Sequence, residues 1–230
     1  MREYAPSRVS MCMPDKVRAV WSGKFALAMA LAALAGWVDA TAYVRLAHVY
    51  VSFMSGNSTV LATSIPAWHS PKLALIACVL GSFVAGVVVG EIIAVEAARR
   101  AHMAVLFAEA LLLFAGAGAA LVPGSRLLPA ALLALALGTQ NASVHGAGGV
   151  SVAITYVTGT LVKLGRAIAA ALAGKGRWAE ALPYLLLWLG LIAGAALGAA
   201  VAHVNATLAI ALVGTVALGL ACVVGFAMKR

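Results

Sequence analysis

Residues 24–44 read KFALAMALAALAGWVDATAYV, an apolar run with a single carboxylate, Asp39, set late in it. At ~1.5 Å per helical residue such a run reaches across a hydrocarbon core of roughly 30 Å. Seven further apolar runs follow, at 51–67, 72–95, 103–122, 127–146, 150–172, 181–202 and 205–228, with short connections. Only helices and closed barrels satisfy the backbone in lipid, and barrel strands would alternate in polarity. The fold class expected is therefore all-α: a polytopic helical membrane protein with six to eight membrane helices.

The composition agrees. Of 230 residues, 64% are hydrophobic and 10% charged, with a mean hydropathy of +1.03; a soluble domain carries about 25% charged residues. The formal net charge of +9 comes from basic residues lying between apolar runs, not from a stripe with interleaved aromatics. They fit cytoplasmic loops better than nucleic-acid binding. Cys12, Cys78 and Cys222 are far apart and form no CxxC, so neither a disulfide framework nor a zinc site is expected. Residues 1–23 form a basic cytoplasmic tail, and 24–228 a single helical membrane domain. The first run is too long for a signal-peptide core and reads as a retained helix.

The chain repeats itself weakly. Gly36-Trp-Val-Asp39-Ala40 matches Gly138-Thr-Gln-Asn141-Ala142, and Phe53-Met-Ser55-Gly56-Asn57 matches Tyr156-Val-Thr158-Gly159-Thr160. Gly86 and Gly90 match Gly194 and Gly198. Three matches in one order suggest two sequence-related halves, about 24–122 and 127–228. Runs 51–67 and 150–172 are polar enough to be either full crossings or re-entrant helices. Eight crossings would give a parallel repeat and six an inverted one; both put the termini in the cytoplasm, and both occur in secondary transporters.

Polar groups inside such runs are costly and mark candidate sites. Asp39 is the leading one, as a coupling or substrate-binding carboxylate; the plainer alternative is a carboxylate bonded to the backbone of 51–67. Ser55, Gly56 and Asn57, with Thr158, Gly159 and Thr160, have the look of discontinuous helices whose hydroxyls and amide meet a polar solute, or of simple small-residue packing. Gln140 and Asn141 add amides, and Glu109 is the second intramembrane carboxylate. His145 and the snorkelling Lys163 and Arg166 are weaker candidates. Gly86, Gly90, Gly190, Gly194 and Gly198 provide faces for close helix packing within the chain. Trp21, Trp37, Trp68, Trp178 and Trp188 fall mostly where interface anchors stand. No HExxH, GxSxG or Walker loop is present, so no enzyme, catalytic residue, cofactor or metal is expected.

Gly36-x-x-Asp39-Ala40, Phe53-Met54-Ser55-Gly56-Asn57, Leu137-Gly138-Thr139-Gln140-Asn141-Ala142 and Thr155-Tyr156-Val157-Thr158-Gly159-Thr160-Leu161 together resemble the YoaK family, also called domain of unknown function 1275. The resemblance covers about residues 25–225. Ser-Gly-Asn stands where the family commonly has Thr-Gly-Asn, and Thr139 where it commonly has Met. It implies a small bacterial inner-membrane protein with about six crossings and no established substrate. From the residues, the function expected is a secondary transporter or permease for a small polar solute. The alternative is a non-transporting membrane sensor or assembly scaffold. The partners expected are the lipid bilayer, the solute and no nucleic acid. A homodimer would be required if one chain is too small to complete the path.

Overall fold

The structure, a computed structural model, describes residues 23–65, 71–144 and 157–227. Residues 1–22, Trp68, His145, Thr155, Tyr156, Lys229 and Arg230 lie outside the described residues. Among those described there are eight α-helices and no strand: α1 (Gly23–Arg45), α2 (Met54–Ser64), α3 (Pro71–Ala97), α4 (Ala101–Ala119), α5 (Leu127–Gln140), α6 (Val157–Leu172), α7 (Leu182–Val204) and α8 (Ala206–Ala227). Each apolar run of the sequence has become one helix. The last turn of the fifth run tightens into a 3-10 segment, Asn141–Val144.

The helices begin and end for local reasons. Pro71 opens α3, where its missing N–H removes no helical bond. Asn205 is extended (φ −153°, ψ 113°), ends α7 and accepts from the Leu208 amide at 3.0 Å to cap α8. Gly174, at φ +69°, closes α6: Lys175 N–H donates back to Ala170 O at 2.9 Å, the bond pattern that a left-handed glycine permits. Arg45 caps α7 from α1, with Nε donating to Ala202 O at 2.7 Å and Nη2 to His203 O at 2.9 Å. A cation there also opposes the negative end of the helix dipole.

Four stretches are long and apolar enough to cross a membrane: Phe25–Arg45, Pro71–Ala119, Trp178–Val204 and Ala206–Ala227. The second is 49 residues long and is folded back on itself. Its break lies at Ala98, φ +46°, beside the exposed Arg99 and Arg100. Gly86 of α3 and Gly116 of α4 both face the Leu132–Leu135 stretch of α5, which a continuous helix could not achieve.

Two glycine crossings hold the bundle. In the first, α1 lies on α7. Gly36 meets the Leu191 carbonyl and Gly194 the Ala33 carbonyl, and a Cβ on Gly198 would stand 2.5 Å from Trp37 O. In the second, α5 lies on α3. Gly138 meets the Phe83 carbonyl and Gly86 the Leu135 carbonyl, and a Cβ on Gly90 would stand 2.6 Å from Thr139 O. Backbones this close need glycine, because lipid supplies no hydrophobic drive and association rests on contact. Thr139 Oγ1 adds an interhelical bond to Gly86 O at 3.2 Å. Trp37, expected among the interface anchors, instead turns Nε1 inward to Ala209 O of α8 at 2.9 Å.

These contacts set helix directions. Residues 33 and 37 meet 194 and 198, so α1 and α7 run parallel; residues 135 and 139 meet 86 and 90, so α5 and α3 do too. Phe114 packs on Gly214 and Met103 on Gly225, so α4 and α8 are antiparallel. Thus α1, α4 and α7 run one way and α3, α5 and α8 the other. The 11-residue α2 joins the end of α1 to the start of α3 on one side of the bundle. The segment carrying α6 joins α5 to α7 on the opposite side.

Candidate functional site

Asp39 sits six residues before the end of α1 and reaches the loop that follows. Its Oδ1 accepts from the Val51 amide at 2.7 Å and the Ser52 amide at 2.8 Å, and Oδ2 from Ser52 Oγ at 2.5 Å. Asn57, on the first turn of α2 and buried, clamps the same loop. Its Nδ2 donates to Tyr50 O at 2.6 Å, and its Oδ1 accepts from Tyr50 N at 3.3 Å. Ala47 and His48 are both at φ 59°, a left-handed conformation costing roughly 1–2 kcal/mol per residue. The bonds from Asp39 and Asn57 oppose that cost. Three ring contacts, Tyr43 with His48 and Tyr50, and Tyr50 with Phe53, at centroid distances of 4.9, 5.1 and 5.4 Å, brace the loop from outside.

Of the paired motifs, then, Asp39 and Asn57 come together, with Ser52 as the contributor not singled out from sequence. Ser52 lies in the same polar cluster as Ser55–Thr59, which was its only signal. Ser55 is exposed and Gly56 packs on the Phe53 ring. In the second motif Thr158 is exposed, Gly159 buried and Thr160 partly buried. Asn141 Nδ2 donates to Leu137 O of its own helix at 2.8 Å.

A second group lies deeper. Glu109, at the middle of α4, and Gln140, at the end of α5, are each 0% exposed. Gln140 Nε2 donates to Leu31 O of α1 at 3.4 Å. Gln140 Oε1 and both Glu109 carboxyl oxygens have no hydrogen-bond partner among the described residues. The α4–α5 pair is antiparallel, with Gly116 against Leu133. Glu109 lies seven residues before Gly116 and Gln140 seven after Leu133, about two turns on the same face, so the antiparallel register puts them at one level. Among the described residues no cluster of three His, Cys, Asp or Glu suited to a metal ion occurs.

The comparisons agree with the resemblance read from the motifs. The chain is 36% identical over 180 residues, 76% of this chain and 74% of the relative, to the UPF0700 transmembrane protein RA0705 of Rhizobium meliloti (strain 1021). No solved structure matches it. Residues 27–224 match the family described as Protein of unknown function (DUF1275). With nearly all of its helical domain matched and four stretches able to cross a bilayer, the chain is a membrane protein and belongs to the DUF1275 family.

Proposed function

We propose that this protein is a small secondary transporter of the bacterial inner membrane, built from two inverted halves that cross the membrane six times in all. The observation that carries the reading is the exchange of helices between halves. The first half's α1 packs on the second half's α7, and the second half's α5 packs on the first half's α3. The residue pairs in the two crossings correspond: Gly36, Ala33 and Trp37 with Gly138, Leu135 and Thr139, and Gly194 and Gly198 with Gly86 and Gly90. Equivalent helices run in opposite directions, and their last members, α4 and α8, pack antiparallel on each other. Inverted repeats of this kind underlie alternating access in transporters, with the polar site near the midplane between the halves.

Helices α2 and α6 fit re-entrant elements. At ~1.5 Å per residue, 11 residues reach only ~16 Å, about half a hydrocarbon core. Helix α2 also joins α1 to α3, whose adjoining ends lie on one side of the bundle, and α6 leads into the start of α7 on the other. Arg99, Arg100, Lys163, Arg166, Lys175 and Arg177 then share a side with both chain termini, against Arg45, Lys72 and Arg126 on the other. The richer side is the cytoplasm by the positive-inside rule. Ser55 and Thr158, exposed on the two re-entrant helices, would face a small polar solute from opposite sides.

Asp39 favours a second reading at its own motif. Its three donors are what a sealed, non-transporting scaffold would have there, so Asp39 serves as a loop pin and not as the coupling group. Single cysteines at Arg100, Ser58 and Thr158, with Cys12, Cys78 and Cys222 replaced, decide between the readings. A membrane-impermeant maleimide should reach positions 100 and 158 from the cytoplasmic face and 58 from the outer face. Position 100 labelled from outside refutes the six-crossing topology; complete protection of 58 and 158 from both faces refutes transport.

A further inference from the structure

Among the described residues, Glu109 is the one buried carboxylate that the loop geometry leaves unexplained. It lies about 12 Å from the start of α4 and about 15 Å from its end at ~1.5 Å per residue, close to the middle of the bundle. Leu31, whose carbonyl holds Gln140, lies about 12 Å from the start of α1 by the same measure. The Gln140–Leu31 bond and the α4–α5 register together bring these groups to one level. Three oxygen acceptors, two on Glu109 and one on Gln140, have no donor among the described residues. An uncompensated charge in such a place is strongly unfavourable.

The missing partner must be a donor or a cation. Among the described residues, the elements packed on α4 give the Glu109 carboxyl no donor: Thr139, Asn141, Ser143 and Thr215 donate to backbone carbonyls instead. Helix α5 and the Asn141–Val144 turn have no charged residue, and α8 has only the exposed Cys222 to titrate. Helix α3 carries Lys72, Cys78, Glu91 and Glu96, and the adjoining turn Arg99 and Arg100; none hydrogen-bonds to the Glu109 carboxyl. His102 stands seven residues before Glu109 on the same helix face, about 10 Å away. A metal cation of the hard class needs about six oxygens. A proton needs two, and Glu109 and Gln140 offer them.

We infer that Glu109 and Gln140 form a proton-binding site at the middle of the membrane domain, the protonated Glu109 carboxyl donating toward Gln140 Oε1. Binding forms one O–H bond on the carboxylate, release breaks it, and no other bond changes. In the transport reading this proton is the coupling ion; the site itself does not depend on that reading.

Dicyclohexylcarbodiimide tests it, because this lipid-soluble reagent adds to protonated carboxyls and remains attached. The detergent-purified full chain is treated between pH 6 and pH 9, in sodium chloride or choline chloride, and the labelled peptide identified by mass spectrometry. The expected result is modification at Glu109, at least several-fold greater at pH 6 than at pH 9, equal in the two salts and absent in Glu109→Gln. The Gln140→Leu variant, which keeps the volume but removes the acceptor, should shift the pH dependence. No labelling at any pH, or protection by sodium at fixed pH, overturns the proposal. So does labelling of Asp39 or Glu91 in place of Glu109. If Glu109 reacts as expected while positions 58 and 158 stay sealed, the proton site stands and the transport reading falls; the reverse pattern removes the site alone.

Discussion

Replacing Asp39 separates a loop pin from a transport carboxylate. The Asp39→Ala variant leaves the Val51 and Ser52 amides without their acceptor, in a place where Val51 is 0% and Ser52 6% exposed. Each orphaned buried donor costs about 1–3 kcal/mol, so the pair costs about 2–6 kcal/mol. At about 2–4 °C per kcal/mol for a chain of this size, the unfolding midpoint should fall by about 5–20 °C. The Asp39→Asn variant keeps Oδ1 for both amides, and Ser52 Oγ can turn to accept from the new NH2. It should lose only the charge-assisted part, about 1–2 kcal/mol. The assay is thermal unfolding in detergent, followed by tryptophan fluorescence, with limited proteolysis of the 46–53 loop beside it. The order expected is wild type, then Asn, then Ala, with loop cleavage rising in the same order. An Ala variant as stable as wild type, or an Asn variant as damaged as Ala, refutes the pin.

Three further outcomes follow from the packing. Gly194→Leu and Gly86→Leu should each disrupt one glycine crossing, costing at least about 1–3 kcal/mol, whereas Gly81→Leu and Gly219→Leu, where an added Cβ meets nothing within 4 Å, should unfold like wild type. Arg45→Ala, which uncaps α7, should lower stability by about 1–2 kcal/mol and speed hydrogen exchange in the amides at 202–208, read by mass spectrometry. Asn57→Asp keeps the acceptor for Tyr50 N but loses the donor to Tyr50 O, so protease should cut the loop faster than in wild type while the helices stay intact by circular dichroism.

The eight helices were legible in the sequence, most bounds to within three residues but the end of the fifth six residues early and the sixth described only from Val157, because in lipid every backbone group must bond within its own helix and an apolar run has no other outcome. Ala98 and Asn205 mark their breaks with no proline or glycine, so those boundaries rested on hydrophobicity alone. The candidate site was legible as a list of polar residues and not as an arrangement. Asp39 and Asn57 stood out as costly groups in apolar surroundings. That both close onto the backbone of 50–52 depends on a loop path with two left-handed residues, Ala47 and His48, which neither side chain announces.

Glu109 and Gln140 illustrate the division most clearly. Composition and period determined that this chain is a helical membrane protein and which few polar residues its apolar runs enclose, since the energy of placing a residue in hydrocarbon depends on that residue. The direction of each helix and the choice of neighbour were decided only in three dimensions. The contact glycines on α1, α3, α5 and α7 are chemically alike, and the pairing of α1 with α7 and α5 with α3 depends on backbone shapes brought together across long stretches of chain. The same is true of the two carboxylates. From sequence they are equivalent; in the fold one is bonded by a loop and the other has no partner among the described residues, because donors are supplied by neighbours and neighbours are set by the packing.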